Sequence, residues 1–130
     1  MATHTPSSTR PPAATAVAVL ALLGVVGSVV MMLAHLGLGI PVIENLGPGR
    51  MLLPVAIGFA VGALLYAVVA AGAFAVARWA WWAGLVVNGL AFLSAAFPFR
   101  GWISAVVMAV SAAALVVLLT PAGREAFGRR

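Results

Sequence analysis

Four long apolar runs dominate the pattern of hydrophobic and polar positions, and short polar turns separate them. The runs predict helices over about residues 14–36, 51–75, 81–96 and 103–119. Each run is apolar all round, whereas helices of soluble bundles carry a polar face. About 20 apolar residues suffice to cross roughly 30 Å of hydrocarbon. The pattern therefore predicts an all-α protein, an up-down antiparallel bundle of four transmembrane helices.

The turns between these runs carry the residues that fix the helix ends. Gly37, Gly39 and Pro41 end the first helix and open the one long loop, since glycine and proline oppose helix continuation. The second turn is centred on Arg78 and the third covers residues 98–102. Arginine beside tryptophan suits a membrane interface, where the guanidinium meets headgroups. The predicted interface anchors are Arg78, Trp79, Trp81, Trp82, Arg100 and Trp102.

A polar tail is predicted on each side of a membrane domain that covers residues 13–121. Residues 1–12 are rich in Ser, Thr and Pro and have little to bury, so we expect them to be disordered. The first apolar run exceeds the roughly 7–15 residues of a signal-peptide core, which predicts an uncleaved helix. Residues 122–130 form a short basic tail in which Phe127 is expected to lie on the headgroup layer.

Composition supports a membrane location and argues against a soluble one. Of the 130 residues, 65% are hydrophobic and 7% charged, against about a quarter charged in soluble domains. The net charge is +5, but the arginines stand at the ends of apolar runs. Anionic headgroups of a lipid bilayer are therefore expected as the partner, and nucleic acid is not. The chain has no cysteine, hence no disulfide and no thiolate metal site.

Arginine placement predicts the orientation of the bundle, because basic residues favour cytoplasmic loops. Five arginines share the side of the termini, Arg10, Arg78, Arg124, Arg129 and Arg130, and two lie opposite, Arg50 and Arg100. Both termini are therefore predicted to be cytoplasmic. All basic residues are arginine, and Ala, Val, Gly and Leu dominate, a bias typical of a GC-rich bacterial genome. We expect a multi-pass protein of the bacterial inner membrane.

Two short segments resemble a known group of proteins. The hairpin tip Ala77-Arg78-Trp79-Ala80 and the ending Leu119-Thr120-Pro121-Ala122-Gly123-Arg124-Glu125-Ala126-Phe127 are similar to small four-helix integral membrane proteins of actinobacterial type, mostly of unassigned function. The resemblance implies the fold and the membrane location. It implies no active site.

A few polar residues fall inside the predicted spans at similar depth. Counting inward from the turns at about 1.5 Å per residue places Asn88, Tyr66, Ser28 and Ser111 near one level. A lone amide in hydrocarbon leaves hydrogen-bonding groups unmet at a cost of kilocalories. We therefore expect Asn88 to face the bundle and bond to one of the other three or to a backbone carbonyl. This polar layer either fixes helix register or holds a ligand or water.

Small residues recur every four positions, as at Gly58 and Gly62. In lipid such stripes allow close backbone approach. They predict either packing within the chain or association of identical chains.

Catalytic and ion-transport chemistry find little support. No span has an acid or a base at its centre, where transporters keep one to move ions or protons. His35, Glu44 and Arg50 lie near one end of the bundle, but metal sites usually gather three or more ligands. No nucleophile has a positioned base and no hydrolase or phosphate-loop motif occurs. We expect no enzyme activity, no metal and no cofactor.

Two functions remain after these exclusions. The favoured hypothesis is a structural or protein-interaction role, as the accessory subunit of a membrane-protein partner or as a homo-oligomer. The alternative is a channel or carrier for a small neutral or hydrophobic solute, for which no buried charge is needed. A hollow path between the helices would favour the alternative.

Overall fold

The computed structural model describes residues 9–129, which contain helices and no strand. The long helices are α1 (Pro12–His35), α2 (Leu53–Phe74), α3 (Arg78–Ala96) and α4 (Trp102–Leu119). A 3-10 helix (Glu44–Leu46) lies in the first loop, and a short helix α5 (Pro121–Ala126) follows α4. All four long helices are long and apolar enough to cross a membrane. The predicted all-α bundle is confirmed, and residues 1–8 and 130 of the predicted tails lie outside the described residues.

The bundle consists of two helical hairpins. α1 packs most extensively against α2, and α3 packs against α4. The contacts of α1 with α4 are smaller, and those of α2 with α3 are the smallest of the four. The end that contains α5 and the α2–α3 turn is called the α5 end. The opposite end, with loops 36–52 and 97–101, is called the loop end.

The turn between α2 and α3 is shorter than the sequence suggested, and Arg78 is not its centre. The Ala77 N–H donates to the Gly72 carbonyl at 2.9 Å and the Val76 N–H to the Ala73 carbonyl at 3.1 Å. Val76 has a φ of 52°, so these bonds form a left-handed helix cap. The chain reverses within residues 75–77, and α3 begins at Arg78, three residues before the predicted start.

The core of the bundle lies at the α5 end. Its larger members come from every helical segment that meets there: Val17, Tyr66, Val69, Trp81, Leu118 and Phe127. The others are alanines: Ala14, Ala18, Ala21, Ala70, Ala73 and Ala80. Alanine on facing helices lets the backbones approach closely, which supplies packing contacts where lipid offers no hydrophobic drive.

Trp81 belongs to this core, so its prediction as an interface anchor was wrong. Its side chain is 9% exposed, whereas Trp79 and Trp82 are 51% and 53% exposed. Trp79 and Trp82 stand three residues apart and share the outward face of α3, which turns Trp81 inward. The Trp81 indole N–H donates to the Leu118 carbonyl at 2.8 Å. It thereby satisfies a carbonyl that the end of α4 leaves without a helical donor.

The C-terminal segment folds onto the bundle, so the expectation that Phe127 lies on the headgroup layer was wrong. Pro121 stops α4, and the Thr120 hydroxyl accepts from the Gly123 N–H at 3.1 Å, which caps α5. This corner turns the chain back, and Phe127 is 1% exposed. The Arg129 guanidinium lies 5.0 Å from the Trp82 ring centroid, a cation–π contact that covers the same end.

The first residues described are also attached to the bundle. Arg10 Nε donates to the Phe74 carbonyl at 2.9 Å, and its guanidinium lies 4.9 Å from the Phe74 ring centroid. The contact supplies a donor to the C-terminus of α2, which has unpaired carbonyls. α1 begins at Pro12, two residues before the predicted start, because proline is favoured at the first helical position.

Truncating Phe127 to alanine should destabilise the protein strongly. Removing a buried aromatic ring loses its packing and leaves a cavity, at a cost of about 3–5 kcal/mol. The measurement is a thermal melt of the detergent-purified protein followed by far-ultraviolet circular dichroism. Phe99, which is 61% exposed, is the matched control, and Phe99→Ala should leave the melting temperature almost unchanged. Equal melting temperatures for the two variants would contradict the burial of Phe127.

Candidate functional site

A cavity of about 800 Å³ lies between the helices in the half of the bundle nearer the loop end. The second halves of α1 and α3 and the first halves of α2 and α4 line it, and it is partly open to the surroundings. Its volume is within the roughly 300–1,000 Å³ typical of small-molecule sites. The bundle is therefore closed at the α5 end and hollow towards the loop end.

Glycines and aliphatic side chains form most of the cavity wall. The α1–α2 hairpin contributes four glycines, namely Gly24, Gly27, Gly58 and Gly62. A Cβ built at Gly27 or at Gly58 would meet no atom within 4 Å, whereas one at Gly62 would lie 3.5 Å from Ser28 Oγ. The predicted stripe of Gly58 and Gly62 thus packs against α1 only at Gly62. Gly58 adds volume to the cavity instead.

Tyr66 and Ser111 form the floor, where the cavity meets the core. A Cβ on Gly24 would lie 2.5 Å from Tyr66 Cδ1, so the Tyr66 ring packs directly on the α1 backbone. Ser111 faces Tyr66 and is 1% exposed. Its Oγ lies near the Tyr66 hydroxyl but makes no well-formed hydrogen bond among the described residues. The floor therefore combines an aromatic ring packed on α1 with one buried hydroxyl beside it.

The four residues of the predicted polar layer do not all meet at this cavity. Ser28, Tyr66 and Ser111 line it, and Asn88 does not. Asn88 is 2% exposed, and its Nδ2 donates to the Gly84 carbonyl at 2.8 Å, one turn earlier in α3. The amide is thus buried and bonded to a backbone carbonyl of its own helix. Asn88 therefore bonds within α3, and only the other three residues of the predicted layer line the cavity.

Arg100 and Trp102 lie at the mouth of the cavity, at the loop end. Both side chains are exposed, and their role as interface anchors stays a prediction. The Arg100 N–H donates to Ser104 Oγ at 2.9 Å. Gly101, which has a φ of 74°, is the residue immediately before α4. Sequence analysis did not single out Ser104. The sequence feature that could have identified Ser104 is a serine in the first turn of a helix, where hydroxyls bond to free N–H groups.

The other predicted anchors, Arg78, Trp79 and Trp82, lie at the α5 end. Arg78, Trp79 and Trp82 are all exposed. Arg78 passes beside Gly128, where a Cβ would lie 3.2 Å from the Arg78 Nε. Exposed arginine and tryptophan side chains thus occur at both ends of the bundle.

His35 and Glu44 do not form a metal centre. The His35 Nδ1 lies 2.8 Å from the Met31 carbonyl and donates its proton there, and its ring lies 5.2 Å from that of Phe59. Glu44 is exposed in the 3-10 helix. Over residues 9–129 no three His, Cys, Asp or Glu side chains come together. Within that range the cavity is the feature best suited to hold a ligand.

Comparison of the chain with known protein families, with curated proteins and with solved structures found no match. Its function is therefore inferred from the geometry of the cavity and from the residues that line it.

Replacing Gly24 by alanine should destabilise the protein, because the new methyl group collides with the buried Tyr66 ring. Overpacking of this kind costs about 1–3 kcal/mol. Gly27→Ala is the matched control, one turn further along α1 with open space around its Cβ, and it should keep or raise the melting temperature. Thermal melts of the two variants in the same detergent measure the difference in stability. A Gly24→Ala variant as stable as Gly27→Ala would show that Tyr66 is not fixed against α1.

Proposed function

We propose that this chain is a small, non-catalytic integral membrane protein that binds a hydrophobic molecule between its two helical hairpins. The observation that carries the proposal is the cavity of about 800 Å³. Sites for hydrophobic ligands combine apolar walls with a few placed polar groups. Here Ser28, Tyr66, Ser111 and Arg100 are such groups in a wall of glycine and aliphatic side chains. The proposal develops the solute-binding alternative that the sequence left open.

The closed α5 end supports a binding role over that of a channel. Trp81, Leu118 and Phe127 fill the centre of the bundle below the floor of the cavity. A solute that enters from the loop end or from the bilayer would have to leave by the same route. The protein then acts as a receptor or carrier-like binder that presents its ligand on one side.

A structural role as an accessory subunit is the second candidate, and the glycines of the wall favour it. Helices in lipid associate where small residues allow close backbone approach. Gly27 and Gly58 have open space in front of them within the chain. A transmembrane helix of a partner, or of a second copy, is the occupant in this version.

The proposed location is the bacterial inner membrane with both termini in the cytoplasm. Supporting it are five arginines on the side of the termini against two at the loop end, and the resemblance to small actinobacterial membrane proteins. In this orientation the cavity lies in the outer half of the membrane.

Filling the cavity should abolish ligand binding without unfolding the protein. An alkyl diazirine probe, activated by light in proteoliposomes, should label residues of the cavity wall in the wild-type protein. Gly58→Leu places a large side chain in the open space and should reduce this labelling about tenfold or more, in line with loss of a whole apolar contact surface. Peptide mass spectrometry measures the labelled positions.

The control for that experiment is Gly89→Leu. Gly89 is a helical glycine with open space around its Cβ, and it does not line the cavity. It should leave the labelling pattern unchanged. Labelling spread evenly over the lipid-facing helix surfaces in all three proteins would overturn the binding proposal. Crosslinks from the cavity wall to another polypeptide would favour the accessory-subunit role instead.

A topology test checks the proposed orientation. An alkaline phosphatase reporter, active only outside the cytoplasm, should be inactive when fused after Arg130 and active when inserted beside Asn45. The expected result reflects the excess of arginine on the side of the termini. Activity at the C-terminus together with inactivity at the loop would reverse the orientation.

A further inference from the structure

One residue of the cavity lining carries a charge. Among the described residues that line the cavity, Arg100 is the only ionisable base or acid that is charged at neutral pH. It lies at the mouth, next to Trp102, which is 67% exposed. Exposed tryptophan is typical of the boundary between headgroups and hydrocarbon. The charge thus stands where the headgroup of a lipid lies when its chains enter the cavity.

The backbone that carries this charge is held in place. The Arg100 N–H is bonded to Ser104, which is 4% exposed, and Gly101 turns the chain into α4. Only the side chain of Arg100 is free to follow a ligand. A guanidinium presents its donors in a planar fork that binds two oxygens of a phosphate at once. A phosphate group is the anion that this geometry suits.

The depth of the cavity matches one leaflet of a bilayer. Trp102, the first residue of α4, and Ser111 are nine positions apart, which at the rise of an α-helix corresponds to about 14 Å. The hydrocarbon core of a bilayer is about 30 Å thick. The cavity therefore extends from the headgroup level to about the midplane, where Tyr66 and Ser111 close it. A molecule whose head lies at Arg100 needs a tail about half the hydrocarbon thickness long, as a phospholipid has.

The electrostatics of the loop end favour a net negative headgroup. Its described charges are those of Arg50 and Arg100, against one acid, Glu44. Basic residues near a membrane surface attract anionic lipids, and of these two arginines only Arg100 lines the cavity. A neutral hydrophobic solute would gain nothing from the arginine at the mouth.

We propose that the ligand of the cavity is an anionic phospholipid of the leaflet at the loop end. Its phosphate pairs with Arg100, and an acyl chain lies along α4 down to the floor at Tyr66. This inference rests on the proposed binding function and narrows the ligand from any hydrophobic molecule to one class of lipid.

The test is a lipid titration of the full-length protein in detergent, followed by native mass spectrometry. Phosphatidylglycerol is the anionic probe and phosphatidylcholine with the same acyl chains is the zwitterionic one. The wild-type protein should bind phosphatidylglycerol about tenfold more tightly, because the ammonium of phosphatidylcholine offsets the phosphate charge that pairs with Arg100. Arg100→Gln should bind both lipids equally, since it keeps the cavity and loses the charge.

Arg50→Gln is the matched control, because Arg50 lies at the same end and does not line the cavity. It should keep the preference for phosphatidylglycerol. Equal loss in the Arg50 and Arg100 variants would overturn the inference, since a diffuse attraction would then explain it. Competition by millimolar inorganic phosphate alone would overturn the lipid assignment as well. Circular dichroism melts verify that both variants are folded.

The outcome also separates this inference from the function on which it rests. If the alkyl diazirine labels the cavity but neither lipid binds, the ligand is not a phospholipid and the binding function stands. If Gly58→Leu removes the binding of both lipids and Arg100→Gln removes only the preference, both are supported. Absence of labelling together with absence of lipid binding would overturn both.

Discussion

Close approach of helices at small residues is the constraint on which the rest of this structure depends. Lipid tails are as apolar as the helices, so association in a membrane relies on packing contacts. At the α5 end, the Trp79 ring packs on Gly72, and a Cβ at Gly84 would lie 3.8 Å from Val69 of α2. Because these positions lack side chains, the hairpins meet there. The core, the buried Trp81 and the returning C-terminal segment all depend on that meeting.

The same residue type has the opposite effect at the loop end. Gly27 and Gly58 face no large side chain that would use the space they leave. The hairpins share little surface between α2 and α3, and the space between them remains as the cavity. The two hairpins pack together at the α5 end and are apart at the loop end. This arrangement produces a cavity about one leaflet deep. That depth, with Arg100 at its mouth, is what makes a lipid a better candidate ligand than a solute that crosses the membrane.

The helical spans could be predicted from the sequence because hydrocarbon imposes strong rules on length and polarity. Errors arose where the face of a helix mattered. Each residue turns the side chain by about 100°, so in the helix that begins at Arg78 the exposed Trp79 and Trp82 share one face and Trp81 points to the core. The burial of Phe127 depends on the corner at Thr120 and Gly123, which hydropathy does not report. The cavity could not be predicted at all, because a glycine in the sequence does not show whether another helix lies in front of it.

The α5 end also favours the proposed one-sided binder over a carrier that opens on both sides. Opening the bundle there would break the hydrogen bond between the Trp81 indole and the Leu118 carbonyl. A hydrogen bond of this kind contributes about 0.5–1.5 kcal/mol. Phe127 would have to leave the core in the same step, with the loss of its packing. Opening the loop end breaks no such contact, since the walls of the cavity are already apart there. Ser104 holds only the backbone N–H of Arg100 at the mouth. Movement that admits a ligand is therefore easiest at the loop end, which supports exchange with the bilayer or with that side of the membrane alone.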